Sequence, residues 1–221
     1  MDLDFSPLID SWRFLLGGLE LTLALAVLTM LCSLLVGGTV GLVRCYGPTW
    51  LRQPLVFYID SMRAVPVLVV LVWTYFALPI VTGATLPPFW AALVALSLHI
   101  AAYVAEIVRA GITSVRPGQM RAAMALGMSQ PQAIREVILP QAIVRMLPAF
   151  GSIMSITIKD TAIASVIAVP EYMNRSQTLA GQTFRPIEVF LVAMAVYFII
   201  LFPLTRIVDM LYVRLAHLGR S

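Results

Sequence analysis

From Leu21 to Val43 the chain carries no charged side chain, and nearly every residue in that run is apolar. A helix needs about 20 mostly apolar residues to cross the hydrocarbon of a bilayer. Ala64 to Val81, Pro87 to Ala105 and Val189 to Thr205 repeat the uncharged pattern, and Met146 to Val169 repeats it with Lys159 and Asp160 as interruptions. The whole chain is 60% hydrophobic and 12% charged, where a soluble domain holds about 25% charged residues. It is also far too apolar to be disordered. The expectation is an all-α integral membrane helical bundle with five transmembrane helices. Allowing for flanking residues, the spans are read as about 14–43, 55–81, 87–114, 146–169 and 187–211, within a single transmembrane domain over 1–221.

Charge placement sets an orientation. One set of loops carries Arg44, Arg52, Arg116, Arg121, Arg135, Arg145, Arg206, Arg214 and Arg220. The opposite set has only Arg13, Arg175 and Arg185, beside Asp2, Asp4, Asp10, Glu171 and Glu188. By the positive-inside rule the N-terminus lies outside and the C-terminus in the cytoplasm, which an odd number of spans permits. The same bias accounts for the net charge of +4 without a nucleic-acid partner. Asp2, Asp4 and Asp10 stand where a signal peptide would be basic, so the first span is expected to be retained. Cys32 and Cys45 give no disulfide framework and read as free thiols. Gly37, Gly38 and Gly41 fit close helix packing in lipid.

Between the third and fourth spans lies a long polar loop, about 116–145, reading RPGQMRAAMALGMSQPQAIREVILPQAIVRMLP from Arg116 to Pro148. Pro117-Gly118 breaks the preceding helix, and Gln119 to Leu126 is rich in helix formers. Gly127 suits a helix C-terminus, because glycine enters the left-handed conformation at little cost. Ser129 followed by Gln132 has the spacing of a capping box for a second short helix. The loop therefore reads as two short helices on the inner face of the membrane, either an interfacial connector or a docking surface.

The loop resembles the EAA signature of ABC importer permeases: E-A-A, three residues, G, nine residues, I-x-L-P. Ala122, Ala123, Gly127, Leu139 and Pro140 fall at the expected places, Val137 stands where isoleucine is usual, and Arg121 replaces the signature glutamate. HIAAYVAEIVRAGITSVRPGQ, KDTAIASVIAVPE and VYFIILFPLTRIVDML are similar to the polar amino acid subfamily (histidine, glutamate and glutamine type), so the resemblance covers nearly the whole chain. It implies a type I ABC importer permease-like fold, whose loop is a coupling helix seated in a groove of a cytoplasmic ATPase. Gln119, Arg121, Ala122, Ala123, Leu126 and Gly127 are placed in that contact by the resemblance. The implied partners are two ATP-binding subunits carrying ATP and Mg, an identical or similar permease subunit, an extracytoplasmic solute-binding protein and membrane lipid. The implied location is the bacterial inner membrane.

Charges inside spans cost on the order of 3 kcal/mol each even on lenient scales, so each is a functional candidate. Asp60 with Arg63 and Glu106 with Arg109 are spaced to share a helix face. They read as ion pairs that lock helices together, within a helix or across as Asp60 with Arg109 and Arg63 with Glu106. Arg63 also begins RAVPVL, which resembles the family's R-x-x-P stretch near the translocation path. By the same resemblance Lys159, Asp160 and Thr161 belong to a pore-lining segment. Arg63 and Lys159, both basic, suit an acidic substrate. His99 and Tyr103, one turn apart, read as packing residues with a hydrogen bond for the histidine.

No cofactor, metal site or catalytic constellation is expected in this chain. A phosphate-binding loop of the G-x-x-x-x-G-K-[ST] type needs a lysine, and the only one, Lys159, lies in a span outside any such motif. The expected role is a permease subunit, not itself an enzyme, that couples ATPase closure to import of a polar amino acid or analogue. The alternative from the residues alone is a self-contained oligomeric channel or ion-coupled carrier.

Overall fold

The computed structural model describes residues 3–216, and among them there are helices and turns but no strand. A short helix α1 (Ser6–Asp10) leads into α2 (Trp12–Tyr46), whose 35 residues span about 50 Å at 1.5 Å each. After a Gly47-Pro48 turn comes α3 (Thr49–Ala64), then α4 (Val67–Val72), a π-helical turn over Trp73–Ala77, and α5 (Leu78–Thr82). Gly83, at φ +73°, stops α5. The central helix α6 (Pro88–Ser114) is followed by the loop helices α7 (Pro117–Ala125) and α8 (Gln130–Ala133). A second π-helical turn, Ile134–Ile138, continues into α9 (Leu139–Asp160) and a 3-10 turn, Thr161–Ile167. Helices α10 (Tyr172–Thr183) and α11 (Pro186–Ala216) complete the bundle.

Four helical runs are long and apolar enough to cross a membrane: Trp12–Tyr46, Pro88–Ser114, Gln130–Ile167 and Pro186–Arg214. The pair Thr49–Ala64 and Val67–Thr82 is long and apolar enough only when taken together, and its two helices meet at 108°. The five-span expectation is met when this bent pair counts as one crossing. The segment read as a single span over 55–81 is thus broken, and Pro66 is the reason: it has no N–H to donate, and its ring disfavours a helical residue before it. Val65 accordingly sits at φ −90°, ψ 133°. Both π-helical turns end immediately before a Leu-Pro pair, Leu78-Pro79 and Leu139-Pro140. Widening the turn lets the helix continue past a residue that cannot make the usual bond.

Helix α6 is buried on nearly every face. Ala91, Ala92, Ala95, Ala101, Ala102 and Ala105 are wholly inaccessible, and small residues there let other backbones approach. The closest is α2. A Cβ on Gly41 would lie 2.8 Å from the Ala105 carbonyl oxygen and 2.7 Å from Val108 Cβ, and Gly37 meets Ala101 and Val104 in the same way. Gly38 faces open space, so the packing reading holds for two of the three glycines. The Ser33 hydroxyl donates to the Ser97 carbonyl, 3.0 Å, across the same seam.

The fourth apolar run is composite, with α9 giving way to the 3-10 turn just after Lys159 and Asp160, the two charges that interrupt it. After the 3-10 turn the chain reverses twist at Ala168 (φ +59°). Glu171 then caps α10, accepting from the amides of Met173 at 2.9 Å and Asn174 at 2.7 Å and from the Thr22 hydroxyl at 3.2 Å. Helix α10 packs between the starts of α2 and α11 through Leu8, Leu15, Leu179, Ala180 and Val189. Asp4 ion-pairs with Arg185 at 3.2 Å on that end, and the Ser6 amide holds its carboxyl below the usual carboxylate range. Cys32 and Cys45 are unbonded.

Candidate functional site: a charged cavity between two broken helices

Helix α3 ends beside Arg63, and α9 gives way to the 3-10 turn at Asp160. Both breaks border one cavity of about 460 Å³, walled by Arg63 through Val67, His99, Ile100, Tyr103, Ile153, Ile156 and Asp160. Helices broken within a membrane bundle leave backbone polar groups without intrahelical partners, which is tolerated where they line a cavity. One guanidinium and one carboxylate share this space. The cavity is otherwise apolar and aromatic, the general make-up of a small-molecule site.

The sequence-derived path residues divide. Arg63 and Asp160 line the cavity. Thr161 is fully buried and its hydroxyl donates to the Ile158 carbonyl at 2.7 Å, so it stands behind the wall. Lys159 projects from the other side of α9 into a separate groove of about 340 Å³ with Ser152, Ser155, Thr205 and Asp209. Adjacent helix positions are 100° apart, and here that angle sends the two charges to different places.

Two residues given only a packing role belong to the cavity. His99 is 5% exposed, and its Nδ1 is buried with no hydrogen-bond partner among the described residues. Its ring lies 5.3 Å from that of Tyr103. Sequence spacing carried this signal: His99, Tyr103 and Glu106 recur at i, i+4 and i+7, one stripe of α6. Tyr103 also supports Arg63, whose Cζ sits 5.6 Å from the ring centroid.

Glu106 anchors the next level toward the loop. Arg109 Nε donates to its Oε1 at 3.0 Å, and Arg44 from α2 pairs with its Oε2. The within-helix pair was expected, but the cross-helix partner is Arg44 in place of Arg63. Asp60, exposed on α3, makes no ion pair among the described residues.

At the loop, α7 ends on Gly127 at φ +86°, with its amide bonded to Met124 and the Met128 amide to Ala123, so the last carbonyls are satisfied. The Gln132 side-chain oxygen accepts from the Ser129 amide at 2.9 Å and its hydroxyl at 3.0 Å. Gln119, Arg121, Ala122, Leu126 and Gly127 are exposed, Leu126 to 82%, while Ala123 turns into the bundle at 4%. The loop therefore exposes apolar Met124 and Leu126 together with the basic Arg116, Arg121 and Arg135. No cluster of His, Cys, Asp or Glu able to hold a metal occurs among the described residues.

Known proteins are similar to this chain over almost its full length. The arginine transport system permease protein ArtQ of Bacillus subtilis is 35% identical over 210 residues, covering 94% of both chains. The glutamine transport system permease protein GlnP of Escherichia coli is 35% identical over 202 residues, 91% of this chain and 92% of its own. The octopine transport system permease protein OccM of Rhizobium meliloti is 38% identical over 203 residues, 87% and 83%. Among solved structures, an amino acid ABC transporter crystallised with histidines superposes with TM-score 0.90 at 33% identity, covering 97% of this chain and 100% of that one. The MetNI methionine ABC transporter in an inward-facing form, at TM-score 0.74 and 19% identity over 91% of this chain and 97% of its own, shares the fold. The family model described as "Binding-protein-dependent transport system inner membrane component" matches residues 33–218. This chain belongs to that family of inner-membrane, multi-pass permease subunits of ABC transporters.

Proposed function

We propose that the chain is the permease subunit of an ATP-driven importer for a polar amino acid or a close analogue such as an opine. The observation that carries the substrate class is the cavity holding Arg63 and Asp160 together. A zwitterionic α-amino acid offers a carboxylate to the guanidinium and an ammonium to the carboxylate, and charge-assisted bonds of this kind are the strong ones. His99 and Tyr103 then face the solute's side chain. The names of the similar permeases, which transport arginine, glutamine and octopine, support this range.

Energy enters through partners. Gln119, Arg121, Ala122, Leu126 and Gly127 dock on a cytoplasmic ATPase, with Ala123 supporting them from within. Two such ATPases supply ATP and Mg, and a second copy of this chain or a similar subunit completes the path. A binding protein delivers solute at the outer end, with the N-terminus outside and the C-terminus in the cytoplasm. The chain contributes no ATPase site. ATP and solute drive transport by favouring different states of the permease pair.

The test is purification of the tagged chain from its native membrane with its partners, followed by reconstitution with ATP inside liposomes. Co-purified ATPase and ATP-dependent uptake of labelled L-arginine, L-glutamine, L-glutamate or octopine are expected. A chain that purifies alone and carries solute flux without ATP would replace this reading with a carrier or channel.

A further inference from the structure

Below the mid-bundle cavity lies a second one of about 370 Å³, lined on its polar side by Arg63, Tyr103, Glu106, Ser114 and Arg145. The two cavities have only Arg63 and Tyr103 in common. Those are the two side chains stacked on one another, Cζ to ring centroid 5.6 Å. Charge in the lower cavity is unbalanced. Glu106 is taken up by Arg44 and Arg109. Arg145 donates to the carbonyl and hydroxyl of Ser114. Among the described residues neither Arg63 nor Arg145 has a carboxylate within 4.0 Å. Two guanidiniums without acidic partners thus border a space next to the loop end of the bundle.

We propose that this lower cavity is a second station for the carboxylate of the transported solute, and that Arg63, stacked on Tyr103, separates the two stations and carries the carboxylate between them. The inference rests on the transport reading above. A guanidinium on a ring face is held more weakly than one paired in plane with a carboxylate. A solute carboxylate arriving beside Asp160 therefore draws Arg63 off Tyr103, and the partition opens only when it is occupied. Arg145 then provides a second planar donor set, which suits a carboxylate better than a lysine would. The solute passes with its carboxylate leading, and an empty site stays closed.

The test uses the full transporter complex in proteoliposomes, with Cys32 and Cys45 replaced by alanine and single reporters at two half-buried positions, Ala149→Cys (lower cavity) or Val67→Cys (mid-bundle cavity). A membrane-impermeant thiol reagent is added from the loop side without ATP or solute. Rapid labelling of Ala149→Cys and slow labelling of Val67→Cys are expected. Adding Tyr103→Ala is expected to speed the latter about two- to fivefold, as removal of a cation–π contact to an exposed guanidinium would, and Tyr103→Phe to restore protection. Equal labelling of Val67→Cys with and without the ring would overturn the partition. For the solute that the unaltered complex imports, Arg145→Gln is expected to lower kcat for uptake about tenfold with little change in KM, and Arg145→Lys to recover part of it. Unaltered turnover in Arg145→Gln would remove the second station. Labelling needs neither ATP nor transport, so failure of the importer reading shows itself separately, as an absence of ATP-dependent uptake.

Discussion

Asp160 is the last residue of α9 and the only carboxylate in the wall of the mid-bundle cavity. Asp160→Asn keeps its shape and removes the charge that meets an ammonium. The lost charge-assisted bond is worth about 1.5–3 kcal/mol, so KM for uptake is expected to rise roughly 10- to 100-fold. Initial uptake rates against solute concentration, with ATP hydrolysis as a control for assembly, measure this. An unchanged KM would detach Asp160 from the solute. Lys159, one position earlier, opens on a different groove, and Lys159→Ala is expected to leave that KM within about twofold, as for a site away from the contact. Charges in the spans marked this region in the sequence, but not which way each side chain points. That depends on how α9 is rotated against α2, α6 and α11, set by contacts far apart in the chain. Arg44 as the partner of Glu106, and the orphaned His99 Nδ1, were hidden for the same reason.

Helices meet closely or break according to single residues. Gly41 of α2 leaves no room for a side chain against Ala105 and Val108 of α6. Overpacking costs about 1–3 kcal/mol, and each kcal/mol moves Tm by roughly 2–4 °C in a chain of this size, so Gly41→Leu is expected to lower Tm by about 2–12 °C. Gly38→Ala, facing open space, is expected to leave it unchanged. Melting in detergent separates the two, and equal Tm values would contradict the seam. Pro66→Ala removes a penalty of about 3 kcal/mol against continuing a helix. It is expected to reduce uptake by straightening the α3–α4 bend while Tm holds or rises. Uptake at the unaltered rate would show that the bend is not required. Local signals of this kind were legible: the capping pair Ser129–Gln132, the glycine stop at Gly127 and the helix break at Pro117-Gly118. The 108° bend and the composite fourth crossing were not, because hydropathy counts apolar length and is blind to direction.

For the molecule as a whole, orientation and coupling belong together, since the α7–α8 unit can meet an ATPase only if it faces the cytoplasm. Thr85→Cys, beyond the Gly83 turn, is expected to react with an impermeant reagent outside intact cells, and Ser129→Cys only after permeabilisation. The reverse pattern would invert the topology. The central claim is that this chain converts ATPase motion into solute movement through its exposed loop. Gly127 tests it most directly, because φ +86° is a conformation a side chain strains and the position lies on the presented surface. The measurement is solute imported per ATP hydrolysed by the reconstituted complex carrying Gly127→Asp. Hydrolysis that continues while import per ATP falls about tenfold or more is expected, the sign of lost coupling with partners still bound. An unchanged ratio would contradict the claim.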